Sequence, residues 1–265
     1  MSNDKVTVRQ LQIKLLEMID YIDYLCKLND IEYFLIGGSA LGAVRHKGFI
    51  PWDDDFDIAM TYENYERFLN VCKNKLHTRK YYLEEESNGK WGFYYSKLKM
   101  NNTIFKESDN DNNQEHFGIF IDIFCLDNAS NNVFLRIWQY VCSRILVAII
   151  LARTDYSCSN LLKKLFISVS RANSIRKLEP HLLNVVRKYN YKQTEYVGLF
   201  FGTVTFRTCF IPKKYLGNST EWEFEGRMLP LPEYTDDYLK LYFGDYMKLP
   251  PENKRVGHLP KEIKI

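Results

Sequence analysis

The 265-residue sequence lacks a close cysteine pair, an internal repeat, a low-complexity tract and any large net charge. Each absence removes a class of protein. A net charge of +3 gives no reason to expect nucleic acid as a partner. The six cysteines, Cys26, Cys72, Cys125, Cys142, Cys158 and Cys209, are scattered. With no Cys-x-x-Cys and no histidine at zinc spacing, they are expected as free thiols in a reducing cytoplasm. The opening Met1-Ser2-Asn3-Asp4-Lys5 has no charged stretch leading into an apolar run, so no signal peptide is expected. Without repeats or low-complexity segments, solenoids and linkers drop out.

What remains is 46% hydrophobic, enough for one large domain or one domain carrying a subdomain. Charge is unevenly spread. Between Phe134 and Lys192 there are 11 Lys/Arg against Asp155 and Glu179, giving 11 − 2 = +9, so the rest carries 3 − 9 = −6. Phe134–Ala152 approaches the length of a membrane span, but Arg136 and Arg144 in its first half argue against one. A buried core helix fits, and so does a helix lying in an anionic membrane surface.

Leu11, Leu15, Met18, Ile22 and Leu25 recur every three or four residues, the stripe of a helix. Strands are expected at Tyr33–Ile36, Asp55–Met60, Tyr81–Glu84, Gly92–Met100, Thr103–Phe105 and Gly118–Phe124. Others are expected at Val197–Phe201 and Thr205–Ile211. Gly37-Gly38-Ser39 reads as a turn opening a helix through Arg45, and Thr61 as the cap of a helix to Lys75. Asp109–Asn113 reads as a polar loop and Leu161–Tyr189 as helical. A Thr235-capped helix runs through Phe243. Strands, then helices, then strands predict an α+β fold with a helical insertion. The boundaries fall at 1–130 for the core, 131–193 for the insertion and 194–265 for the segment completing the core.

Four aspartates occupy five positions in Trp52-Asp53-Asp54-Asp55-Phe56-Asp57. Such carboxylates repel one another, and a cation relieves the repulsion. In a strand, Asp55 and Asp57 share a face. Paired carboxylates suit Mg²⁺, a hard cation that keeps positions free for phosphates; Mn²⁺ is the alternative. Asp122 stands alone in an apolar strand, which is expensive without a partner, and a shared metal explains both oddities. Gly37, Gly38 and Ser39 can present backbone N–H groups and a hydroxyl to a phosphate at a helix N-terminus. Arg45 and Lys97 can add positive charge, and His258 is a further candidate from the tail.

The run Phe34-Leu35-Ile36-Gly37-Gly38-Ser39 through Ile50-Pro51-Trp52-Asp53-Asp54-Asp55-Phe56-Asp57-Ile58 resembles the signature of the LicD family. Gly118–Asp127 resembles its second block, with Cys125 where proline is usual. Tyr242–Pro251 resembles its C-terminal block, with Phe243 extending the usual Tyr-Gly-Asp. The segment from about 131 to 193 matches no block.

The resemblance implies a nucleotidyltransferase-like mixed sheet flanked by helices, with Asp55, Asp57 and Asp122 as metal ligands and catalytic carboxylates. It implies a phosphotransferase that moves a phospho-alcohol, chiefly phosphocholine, from a CDP-alcohol donor. The acceptor would be a glycan such as lipopolysaccharide or teichoic acid, or a lipid-linked glycan precursor, and CMP would leave. A cytoplasmic enzyme at the inner membrane face is expected. The rival readings are a nucleotidyltransferase consuming an NTP and an inactive scaffold on the membrane surface.

Overall fold

The computed structural model describes residues 6–86, 92–106, 116–153, 170, 177–257 and 260–265. Helix α1 (Val8–Leu28) opens on a capping box in which Thr7 and Gln10 satisfy each other's backbone N–H groups. Its predicted stripe, Leu11 through Leu25, is buried. Gln12 is buried with it and donates to the carbonyls of Ile50 and Asp53. The helix thereby braces the loop that carries the aspartates.

Strand β1 (Phe34–Leu35) pairs antiparallel with β2 (Asp57–Thr61). β2 runs parallel to β6 (Phe120–Ala129), and β6 lies antiparallel to β4 (Ser96–Met100). β4 pairs antiparallel with β3 (Tyr81–Glu84). The far end of β6 takes β7 (Tyr196–Gly198), which pairs β8 (Phe210–Pro212), giving one mixed seven-stranded sheet. Two ribbons, β9 (Thr220–Phe224) with β10 (Arg227–Leu231) and β5 (Ile104–Lys106) with β11 (Glu262–Lys264), stand apart from it.

The helices around this sheet are α2 (Gly37–His46), α3 (Tyr62–Lys75), α4 (Val133–Arg153), α5 (Glu179–Arg187) and α8 (Thr235–Phe243). Two single-turn helices, α6 (Phe206–Cys209) and α7 (Lys213–Leu216), join them. The fold is therefore mixed α/β. Most of its predicted elements stand within a residue or two.

The departures have local causes. Thr205 and Thr208 form a capping box, so the expected strand over Thr205–Ile211 starts as helix α6 and becomes β8 only at Phe210. Phe93–Tyr95 bend away from β4, and the Tyr94 hydroxyl reaches the Glu179 carboxylate at 2.6 Å. β6 runs on to Ala129 because β7 pairs its last three residues. The loop expected at Asp109–Asn113 and most of the helix expected over Leu161–Tyr189 lie outside the described residues, and α5 is the described part of the latter.

The second half of α4 is core, with Leu146 and Ile150 packed near Val186, Phe200 and Cys209. Its first two turns expose Val133, Phe134, Leu135, Ile137 and Trp138, and the third rejoins the core through Cys142. An ion-pair network fastens α5 to the sheet: Arg187 grips Glu86 through both oxygens at 2.6 and 2.8 Å and approaches the buried Asp127 at 3.4 Å. Among the described cysteines, Cys26, Cys72, Cys125, Cys142 and Cys209 are free and buried, as expected of free thiols; Cys158 lies outside the described residues.

Candidate active site

The sequence reading makes Gly37-Gly38-Ser39 a turn ahead of a helix. In the structure these residues are the first turn of α2, and Gly37 takes φ +54°. That left-handed conformation suits glycine at the point where chain leaving β1 swings into the helix. The Ser39 hydroxyl accepts the backbone N–H of Asp57 at 2.9 Å, pinning the start of β2 beneath the helix N-terminus.

Asp55 lies just before the β2 ladder, which begins at Asp57. The period of two still holds. Asp53, Asp55 and Asp57 are half-buried, while Asp54, Phe56 and Ile58 between them are buried. One extended segment thus presents three carboxylates on one side, anchored by its inward residues. Asp122 is the direct partner of Asp57 across the parallel β2–β6 ladder. Asp122 pairs in turn with Lys97 on β4, and Lys97 with Glu84 on β3. A row of four charged side chains, Asp57, Asp122, Lys97 and Glu84, therefore crosses one face of the sheet.

Electrostatics follow from this crowding. Burial, with Asp55, Asp122 and Asp53 close by, holds the Asp57 carboxyl far above the ordinary carboxylate range. Burial and the neighbouring Asp55 and Asp54 push Asp53 up to about 7. Burial also raises Asp122, against which Lys97 pulls downward from 3.2 Å. The Lys97 ammonium also sits 3.4 Å from the centroid of the Phe120 ring. It is nearly fully buried, so its charge is directed to Asp122 from within the sheet.

The α2 N-terminus faces this cluster. A Cβ on Gly38 would come within 2.6 Å of an Asp53 carboxylate oxygen. The first turn of a helix favours such an anion. Among the described residues, no three or more His, Cys, Asp or Glu side chains are placed to hold a metal ion as they stand. The donor chemistry nevertheless fits a hard cation: oxygen ligands only, drawn from Asp55, Asp57 and Asp122, in a setting where their charges repel.

Side chains outside the predicted set also reach this region. Tyr238 on α8 accepts the Gly37 N–H at 3.0 Å and packs tilted against Tyr242, with ring centroids 4.9 Å apart. The Tyr242 hydroxyl is buried, within electrostatic range of Asp57, and makes no hydrogen bond among the described residues. Arg45, in the last turn of α2, donates to the carbonyl of Tyr246 at 2.9 Å. Burial and the nearby Arg255 guanidinium lower its pKa, and Asp53 opposes them. Arg255 itself lies 5.8 Å from the Trp52 ring and donates to the Pro250 carbonyl. The C-terminal residues thus lend two tyrosines and an arginine to the carboxylate cluster. Tyr242 falls in the C-terminal block of the resemblance, whereas Tyr238 and Arg255 are placed here only by their spatial return to α2. His258 lies outside the described residues.

Comparison with known proteins gives the family. Residues 30–145 match the family model described as LicD/FKTN/FKRP, nucleotidyltransferase domain. The chain is 30% identical over 267 aligned residues to the lipopolysaccharide cholinephosphotransferase LicD of Haemophilus influenzae, covering 98% of this chain and 99% of that one. An uncharacterized protein of Rickettsia prowazekii is 39% identical over 64 aligned residues, covering 17% of this chain and 24% of its own. The near-complete match, with both the aspartate segment and Asp122 inside the family's bounds, means that the chain belongs to the LicD family of phosphotransferases.

Proposed function

We propose that the chain transfers phosphocholine from CDP-choline to a hydroxyl of a cell-surface glycan or its lipid-linked precursor, releasing CMP. The observation that carries this reading is the convergence of Asp53, Asp55 and Asp57 with Asp122 beneath the N-terminus of α2. Strand, glycine-opened helix, Asp-x-Asp and a third aspartate on the adjoining strand also support a nucleotidyltransferase-like core. The Haemophilus relative is a lipopolysaccharide cholinephosphotransferase, which supports choline as the cargo and lipopolysaccharide as the acceptor class.

In this reaction the acceptor hydroxyl oxygen attacks the β-phosphorus of the donor. A new P–O bond forms, the bond to the bridging oxygen of CMP breaks, and CMP departs with that electron pair. Asp55, Asp57 and Asp122 would hold Mg²⁺ or Mn²⁺, which would supply neutralisation of the pyrophosphate charge. The hydroxyl proton passes to a carboxylate of the same cluster. Gly38 and Ser39 offer the donor phosphates the α2 N-terminus. Arg45 and Arg255 flank the cluster with the positive charge that a departing CMP requires. Lys97 keeps Asp122 oriented. The reading implies a cytoplasmic enzyme.

The test is CMP release from a panel of CDP-alcohols (choline, ribitol, glycerol, ethanolamine) with divalent metal and a cell-envelope glycan extract. Metal-dependent release from CDP-choline is expected. Pyrophosphate release from an NTP, with no CMP from any CDP-alcohol, would overturn the reading in favour of nucleotide transfer.

A further inference from the structure

Helix α8 turns two tyrosines toward the aspartate segment. Tyr238 and Tyr242 stand four positions apart, so their rings leave the same face of the helix. The first hydroxyl has a structural task. It accepts the Gly37 N–H at 3.0 Å, where the chain enters α2. Asp57 lies against the same glycine, since a Cβ on Gly37 would stand 3.4 Å from an Asp57 carboxylate oxygen.

The second hydroxyl has no such task. The Tyr242 ring is half-buried, but its oxygen is shielded from solvent and makes no hydrogen bond among the described residues. A buried hydroxyl left unpaired is destabilising, and folded proteins hold few of them. Tyr238, Cys209 and Asp57 all act on it electrostatically. The Tyr238 oxygen already accepts Gly37, and the Cys209 thiol, a weak partner, turns to the Leu199 carbonyl at 3.8 Å. Asp57 is the one carboxylate of the three.

Asp57 in turn lacks a donor. Burial and the charges of Asp55, Asp122, Asp53 and Lys97 act on its carboxyl, with no hydrogen bond to that side chain among the described residues. Carboxylates that hold a cation are themselves held by a second layer of groups, which fixes the oxygen that faces the ion. Asp122 has such a holder in Lys97, at 3.2 Å.

We infer that Tyr242 is the positioning residue for Asp57: its hydroxyl donates to the Asp57 carboxylate and orients it toward the divalent cation. The inference rests on the proposed reading of Asp55, Asp57 and Asp122 as cation ligands. A phenol suits this place. Burial pushes its pKa well above the ordinary value, so it stays a donor. It also adds no negative charge to a cluster that already repels itself. Through Tyr238 the same face of α8 holds Gly37, so one helix aligns both the carboxylate and the turn that faces the phosphates.

The test is Tyr242→Phe, which deletes the hydroxyl and keeps the ring. Mn²⁺ alone is titrated into the full chain by calorimetry, and wild type and variant are melted in chelator. The hydroxyl makes no hydrogen bond among the described residues, so the melting temperature in chelator should stay level or rise. Mn²⁺ affinity should fall roughly tenfold or more, the usual effect of losing such a holding group. Equal Mn²⁺ affinity in the two proteins overturns the inference and leaves the proposed reaction standing. A lower melting temperature in chelator also overturns it, because the hydroxyl would then be a structural group of the core. A wild type that binds no Mn²⁺ removes the cation site, and the inference with it. None of these measurements needs turnover, so the CMP assay decides the reaction separately.

Discussion

Asp57 and Asp122 are direct partners across the parallel β2–β6 ladder, and each is held above its ordinary pKa in a setting that burial dominates. Asp57 also meets Asp55 and Asp53. Lys97 offsets only part of this repulsion, so the crowding costs stability. Asp57→Asn removes the repelled charge at nearly constant volume. CMP release should fall by about a thousandfold or more, while the melting temperature measured in chelator should stay level or rise. A variant that loses stability together with activity would make Asp57 a structural residue.

Lys97 tests the neighbouring link in the same row. Its ammonium is buried and 3.2 Å from Asp122. Lys97→Met leaves Asp122 without that charge, and breaking a buried pair costs about 3–5 kcal/mol. Protonation of Asp122 offsets part of the cost, so the loss should grow as pH rises. Urea unfolding at two pH values measures it. The double variant Lys97→Met with Asp122→Asn should recover part of the stability. Equal stability of wild type and Lys97→Met at both pH values would show that the pair contributes nothing.

Asp53 sets a pH dependence that runs against the usual carboxylate pattern. Its folded pKa is about 7, against an ordinary 3.8. Between those values the folded chain holds a proton that the unfolded chain has released. Stability is therefore fully present below about pH 4 and is lost as pH rises toward 7. Asp57 shifts in the same direction. In chelator, the melting temperature should fall between about pH 5 and about pH 8. Added Mg²⁺ should restore it at the upper pH and do little at the lower one, because the cation competes with protons for these carboxylates. A melting temperature raised equally by Mg²⁺ at both pH values would contradict a carboxylate site of this kind.

The sequence announces Asp55, Asp57 and Asp122 because charge in an apolar run is conspicuous, and the strand period is visible in Phe56 and Ile58. It also announces the α1 stripe and the helix to Lys75. It does not announce register, which alone makes Asp57, Asp122, Lys97 and Glu84 one row. Nor does it show that Tyr238 returns to Gly37, 201 residues away. Aromatic residues in a tail look the same in sequence whether they fill a core or overhang a site. The amphipathicity of α4 misleads for a related reason. Gln139 and Arg136 look like a polar face, yet buried hydrogen bonds turn them inward and send Phe134 and Trp138 to the surface.

Burial, and after it the nearby Arg255 guanidinium, lowers the pKa of Arg45, and each arginine is held by a carbonyl of the C-terminal loop, Tyr246 for one and Pro250 for the other. Like charges held together beside a carboxylate cluster favour an anion that can be shared, and arginine forks match phosphate oxygens. Under the proposed reaction that anion is the donor's pyrophosphate. Charge that meets the phosphates before and during transfer contributes mainly uniform binding, so its removal should appear in KM more than in kcat. Arg255→Gln should raise the KM for CDP-choline about tenfold, equivalent to about 1.4 kcal/mol. It should leave kcat within a few-fold and not lower the melting temperature, since it relieves a repulsion. Steady-state kinetics with a fixed acceptor and a thermal melt together decide it. An unchanged KM would remove Arg255 from the donor site and leave it as a clamp on Pro250 and Trp52.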